Sequence, residues 1–164
     1  MKLRRLLASS RSKKFRSRPF KTEARGAVQI EFVLSILTIM FLIFAMWELI
    51  MIVHTMNVLS DSAKEGVRYA IVHGGHNVNC SGPNPPPDCT NPDPTASNVV
   101  SRVKEYAKYS LHDITAISVT VTYPDGSIAA PNRVRVEVAY DFVPYTALNF
   151  RPTLRAAAEG RIVF

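Results

Sequence analysis

The sequence has 164 residues and a formal net charge of +7, enough chain for one modest domain with an appendage. The charge is uneven: residues 1–25 hold ten Lys or Arg against one acid, Glu23, so residues 26–164 carry −2. A basic arm on a near-neutral body fits nucleic acid or the flank of a membrane segment. The sequence that follows the arm accounts for its charge as a membrane flank, so no nucleic-acid partner is expected.

That sequence is apolar. No charged residue lies between Phe32 and Trp47, and only Glu31 and Glu48 are charged between Ala27 and Val53. Apolar residues occupy every side of a helical projection, as in a membrane span, rather than one stripe. About 20 residues cross a hydrocarbon core of roughly 30 Å, so residues 27–53 are predicted to be a single transmembrane helix. The positive-inside rule puts the N-terminus in the cytoplasm and the rest of the chain outside. A secretory signal peptide would be shorter and end in a small-x-small cleavage site; AMWELIMIV offers none. Glu48 is expected at headgroup level, where a carboxylate costs little; a pairing role is the alternative.

Beyond His54 the pattern becomes amphipathic. Met56, Leu59, Ala63, Val67, Ala70 and Ile71 recur at spacings of three and four, with Asp61, Lys64, Glu65 and Arg68 on other faces. No proline interrupts residues 20–82, and Gly74-Gly75 supplies a stop. One helix over 27–73 follows, about 70 Å long at 1.5 Å per residue.

Residues 76–94 then form a Pro-rich loop around CSGPNPPPDC. Its Cys80 and Cys89 are the only cysteines of the chain. Close in sequence and on the oxidising side of a membrane, they are expected to form a disulfide. A zinc site would need about four ligands, and no further cysteine exists. Thr95 to Ser110 reads as a short helix with Val99, Val103, Tyr106 and Ala107 on its apolar face. The period then changes to two. Ile117, Val119, Val121 and Tyr123 alternate with polar residues, as do Val134, Val136, Val138 and Tyr140, and Pro124-Asp125-Gly126 begins the turn between these strands. A third strand is expected over about 155–164. The predicted class is α+β: a long N-terminal membrane-spanning helix that continues outward and packs its apolar stripe on a small antiparallel sheet of about three strands.

Chemistry of a catalytic kind is not expected. His73 and His76 flank the glycines that end the helix, and no acid or cysteine sits at ligand spacing from them or from His54 and His112. No nucleophile motif, phosphate-binding glycine loop or paired-acid constellation occurs. An enzyme, a metal and a cofactor are therefore not expected.

Glu31 calls for a reason, because polar sequence where its charge would cost nothing lies a few residues upstream. A helix-start acid favoured by the macrodipole, worth about 0.3–1 kcal/mol, is one. It leaves Gly26, five residues earlier, and the basic arm unexplained. The heptapeptide GAVQIEF, Gly26 to Phe32, resembles the processing site of type IV pilin-like precursors, above all of the Flp/Tad branch: a Gly, four residues, a Glu and an aromatic opening the apolar helix. The resemblance implies cleavage after Gly26 by a prepilin peptidase, removal of a basic leader 1–26, and a new N-terminus at Ala27. Glu31 and Phe32 then belong to the assembly surface.

NVLSDSAKEGVRYAIVHGG, with Val67-Arg68-Tyr69, is similar to the helix end of TadE-like proteins. VRVEVAYDFVPYTAL and RAAAEGRIVF are similar to two strands of that family. These likenesses imply a pilin-like fold and a minor pseudopilin of the tight-adherence system, residing in the bacterial cytoplasmic membrane with residues 54–164 extracytoplasmic. The implied partners are the membrane, the prepilin peptidase, the Flp pilin, a TadF-like pseudopilin and the Tad secretion machinery. The resemblance assigns nothing to the cysteine loop. The alternative reading is an uncleaved single-pass anchor presenting an outer ligand- or protein-binding domain.

Overall fold

The computed structural model describes residues 23–145 and 151–163; most of the basic leader, residues 1–22, lies outside them. In chain order it contains helix α1 (Glu23–Val72), helix α2 (Ser97–Lys108), a short 3-10 turn (Ile114–Ala116) and strands β1 (Ile117–Thr122), β2 (Arg133–Asp141) and β3 (Thr153–Arg161). This is the α+β class expected, with the long helix and a three-stranded antiparallel sheet. The chain divides into two compact units, Met1–Phe41 and Leu42–Phe164.

In the first unit the described residues are helical, and every side chain from Gly26 to Phe41 is exposed. The two hydroxyls in the apolar run bond back to their own helix. Ser35 Oγ donates to the Glu31 carbonyl at 2.8 Å and Thr38 Oγ1 to the Leu34 carbonyl at 2.9 Å, which satisfies both where water is scarce. Among the described residues one helix is long and apolar enough to cross a membrane, and only 6% of its most apolar stretch is buried within the chain. A core helix of a soluble protein would be covered there.

In the second unit the sheet has the order β1-β2-β3, both pairs antiparallel. Val119 faces Val138 across the first pair; Val136 faces Ala158 and Tyr140 faces Leu154 across the second. Alternation puts Val134, Val136, Val138 and Tyr140 on the buried face. That face is covered by α1 through Leu59, Ser62, Ala63, Gly66, Val67 and Ala70, all buried, and by Val99, Val103 and Ala107 of α2. Small residues let the backbones come close. A Cβ on Gly66 would collide with Val103 Cγ2 and stand 3.3 Å from Val136 Cγ1. One on Gly160 of β3 would stand 2.6 Å from Val67 Cγ1.

The end of α1 leaves no stranded carbonyl. The backbone N–H of His73 donates to the carbonyl of Tyr69, that of Val163 to Ile71 and that of Ser81 to His73, at 2.8–3.2 Å, and the Asn77 side-chain amide donates to Val72 at 2.7 Å. These are the acceptors that every helix C-terminus must place elsewhere.

Several expectations are corrected at their edges. α1 begins at Glu23 rather than residue 27, α2 is shorter than 95–110, and β3 starts at Thr153 rather than 155. Met56, placed on the apolar stripe by its spacing, is 41% exposed. The covered side of α1 at that level runs through Thr55, Leu59 and Ser62 and leaves Met56 at its margin. Tyr106 is likewise 46% exposed, on the flank of the α2 stripe formed by Val99, Val103 and Ala107. Glu48, expected to be solvated, is 7% exposed and is used by the fold.

Candidate functional site

The segment Gly26–Phe32 occupies the first turns of α1. Among the described residues nothing lies within 4 Å of where a Gly26 Cβ would stand, so none of them demands the glycine by packing. Helical spacing sets Ala27, Glu31, Ser35 and Thr38 along one side of the helix, where with Ile30 and Leu34 they line a shallow groove open to the surroundings. Ala27 and Glu31 are one turn apart, about 6 Å along the axis. Among the described residues no hydrogen bond or ion pair reaches the Glu31 carboxylate; only its backbone carbonyl is engaged, by Ser35. Phe32 is 65% exposed. The structure thus sets Ala27 and Glu31 on one accessible face and, among the described residues, gives that face no partner. Such a face can bind a neighbouring helix in lipid, through packing and a polar contact.

The second acid of the apolar run behaves differently. Glu48 Oε1 accepts the backbone N–H of Tyr145 at 3.1 Å, a contact between residues 97 apart in sequence. The acid thereby ties the segment after β2 to α1. The sequence leaves a pairing role for Glu48 open without naming its partner, because an acid near the end of an apolar run reads first as a solvated one.

Cys80 and Cys89 are bonded, with 5.9 Å between their Cα atoms, and both are buried. The loop they close is built into the domain. Asp93 N–H donates to the Cys80 carbonyl, Gly82 N–H to that of Asp93 and Asn91 N–H to that of Val78, all at 2.8–2.9 Å. Tyr123 Oη donates to the Ser81 carbonyl at 2.6 Å; burial, then the Asp93 charge, push the phenol pKa up to about 12.

Asp93 also caps α2 from four residues before it. Oδ2 accepts the Asn98 N–H at 2.7 Å, and Oδ1 accepts the hydroxyls of Thr95 and Ser97 at 3.0 Å. Burial alone would raise this carboxyl; the hydrogen bonds to Asn98, Ser97 and Thr95 outweigh it and hold the carboxyl below its ordinary range.

The histidines sit apart from any ligand set. His73 stacks on Tyr69, ring centroids 3.8 Å apart, and its Nδ1 lies 2.8 Å from the Tyr69 carbonyl. Among the described residues no group of three His, Cys, Asp or Glu is placed to hold a metal.

Residues 26–68 match the family model of TadE-like proteins, the family that the sequence resembles. The matched stretch begins at Gly26, includes Ala27, Glu31 and Phe32, and ends at Arg68 within α1. No curated protein and no solved structure matches the chain.

Proposed function

We propose that the chain is a minor pseudopilin of the TadE type. It is made as a precursor and inserted once in the bacterial cytoplasmic membrane, N-terminus inside and residues 54–164 outside. A prepilin peptidase cuts it after Gly26, and it serves in assembling a Flp-type pilus with the Flp pilin, a TadF-like pseudopilin and the Tad secretion machinery. It carries no catalysis of its own. The observation that carries this reading is the coincidence at Gly26: the TadE-like match begins there, and the glycine stands five residues before Glu31, the first acid of an exposed apolar run.

The physical chemistry of assembly follows. Cleavage creates an ammonium at Ala27, on the same side of α1 as Glu31. A lone charge in or near hydrocarbon is expensive. Two parallel helices bring the Glu31 of one beside the Ala27 amine of the other when they are displaced along the axis by about 6 Å. The bond is charge-assisted and strengthened by the low dielectric, so it favours one stagger between subunits over others.

The test is the mass and N-terminal sequence of the protein from cells with and without a prepilin peptidase. A mature chain beginning at Ala27, its side-chain net charge lowered to −2 by loss of the leader, is expected only where the peptidase is present. Gly26→Val should block the cut. A full-length mass in both strains would leave an uncleaved anchor.

A further inference from the structure

A helix of twenty residues rises about 30 Å, the thickness of the hydrocarbon core. On the membrane reading proposed above, a span that begins at Ala27 therefore leaves the hydrocarbon near Trp47. The next residue, Glu48, holds the backbone of Tyr145. The turn after β2 is consequently fixed at the level where the span emerges.

Its side chains suit that level. Val143 is 39% and Tyr145 51% exposed, and Trp47, the residue before Glu48 on α1, is 58% exposed. The Tyr145 ring is steadied by His112, ring centroids 5.6 Å apart. From Phe142 to Phe150 the sequence FVPYTALNF has no charged residue and is bounded by Asp141 and Arg151. Tyr and Trp, with an apolar ring and a polar edge, are the residues enriched at the membrane–water boundary.

We infer that the turn Phe142–Tyr145 is a second membrane contact. Val143 and Tyr145 lie in the outer headgroup layer of the bilayer that α1 crosses, and Glu48 is the positioning residue that holds them there. The domain thereby touches lipid at two points of the chain, the end of the span and this turn.

Trp47 is the only tryptophan of the chain, which makes the contact measurable in the full-length protein. Trp47→Phe clears the background for one reporter at a time: Tyr145→Trp, Val143→Trp, or Val78→Trp as a control, since Val78 is exposed beyond the other end of α1. Each variant, and the unaltered protein, is reconstituted in phosphatidylcholine–phosphatidylglycerol vesicles whose acyl chains carry bromine near the headgroup or near the chain end. The reporters at 145 and 143 should lose intensity, more with the shallow bromine than the deep one. They should emit at shorter wavelength than the reporter at 78, which should be unaffected.

Quenching of Trp47 in the unaltered protein, with the reporters at 143 and 145 as insensitive as the one at 78, would overturn the inference and leave the turn for a protein partner. Trp47 insensitive to both lipids would overturn the membrane reading itself, and the inference with it.

Discussion

Gly66→Ala tests the close approach of α1 to α2 and β2. In an exposed helix interior this change stabilises by about 1 kcal/mol, because alanine loses less backbone entropy. Here the added methyl would run into Val103 Cγ2 and crowd Val136 Cγ1 at 3.3 Å. These belong to α2 and to the central strand β2, so relief requires α1 to move from both. Overpacking of this kind costs about 1–3 kcal/mol, which leaves a net loss of roughly 0–2 kcal/mol once the helix gain is subtracted. For the full-length protein in detergent micelles, urea unfolding can be read as loss of protease resistance. With a urea dependence of about 1–3 kcal/mol per molar, a 1 kcal/mol loss lowers the midpoint by roughly 0.3–1 M. The double variant Gly66→Ala, Val103→Ala supplies the decisive arm: it should be more stable than the sum of the two single effects, because the alanine methyl takes the space vacated by valine. A higher midpoint for Gly66→Ala alone, or strict additivity in the cycle, would refute the packing argument.

Glu31→Gln should leave leader cleavage and the outer domain intact and abolish piliation; normal pili from a correctly cleaved Glu31→Gln protein would reduce Glu31 to a helix-start acid worth under about 1 kcal/mol. Val136→Asp buries an unpaired charge and should destabilise by several kcal/mol, whereas Arg135→Ala on the exposed face of the same strand should stay within about 0.5 kcal/mol; equal protease resistance of the two would dissolve the helix–sheet seam. Asp93→Ala should cost about 1–2 kcal/mol as loss of a helix cap. The Asp93 carboxyl is held below its ordinary 3.8, so its contribution is complete at neutral pH and is lost as the pH falls through the folded-state value; acid titrations of stability should show a shallower low-pH limb in Asp93→Ala than in the unaltered protein.

The sheet was readable because alternation is a strong local signal: Val134, Val136, Val138 and Tyr140 leave one register that buries them all. The disulfide was readable from cysteine number and spacing. The seam on α1 was only half readable, since its covered positions include Glu48, Thr55, Ser62 and Gly66, residues that a search for apolar periodicity passes over. They are buried because small side chains let helix and sheet approach and because each polar group is bonded. Ser62 Oγ donates to the Leu59 carbonyl and Thr55 Oγ1 to that of Met51, and Glu48 accepts from Tyr145. Asp93 was hidden for another reason: the cap of α2 is ordinarily sought next to the helix, and here the cysteine loop carries it in from further away. At Gly26–Phe32 the sequence motif speaks more clearly than the structure, because none of the described residues packs on Gly26.

The way β3 closes against α1 sets a schedule for biosynthesis. α1 is covered by residues that follow it at a distance in the chain: Ile71 waits for the N–H of Val163, Val67 for Gly160 of β3, and Glu48 for a residue synthesised 97 positions later. At about 5–20 residues per second, that gap lasts roughly 5–20 s. On the membrane reading proposed above, α1 spans the bilayer throughout this interval while residues 54–72 have nothing to lie against. The domain is therefore one that cannot fold as it emerges. Its non-local contacts are slow to form, and the bare stretch of α1 must be shielded until Val163 has been made.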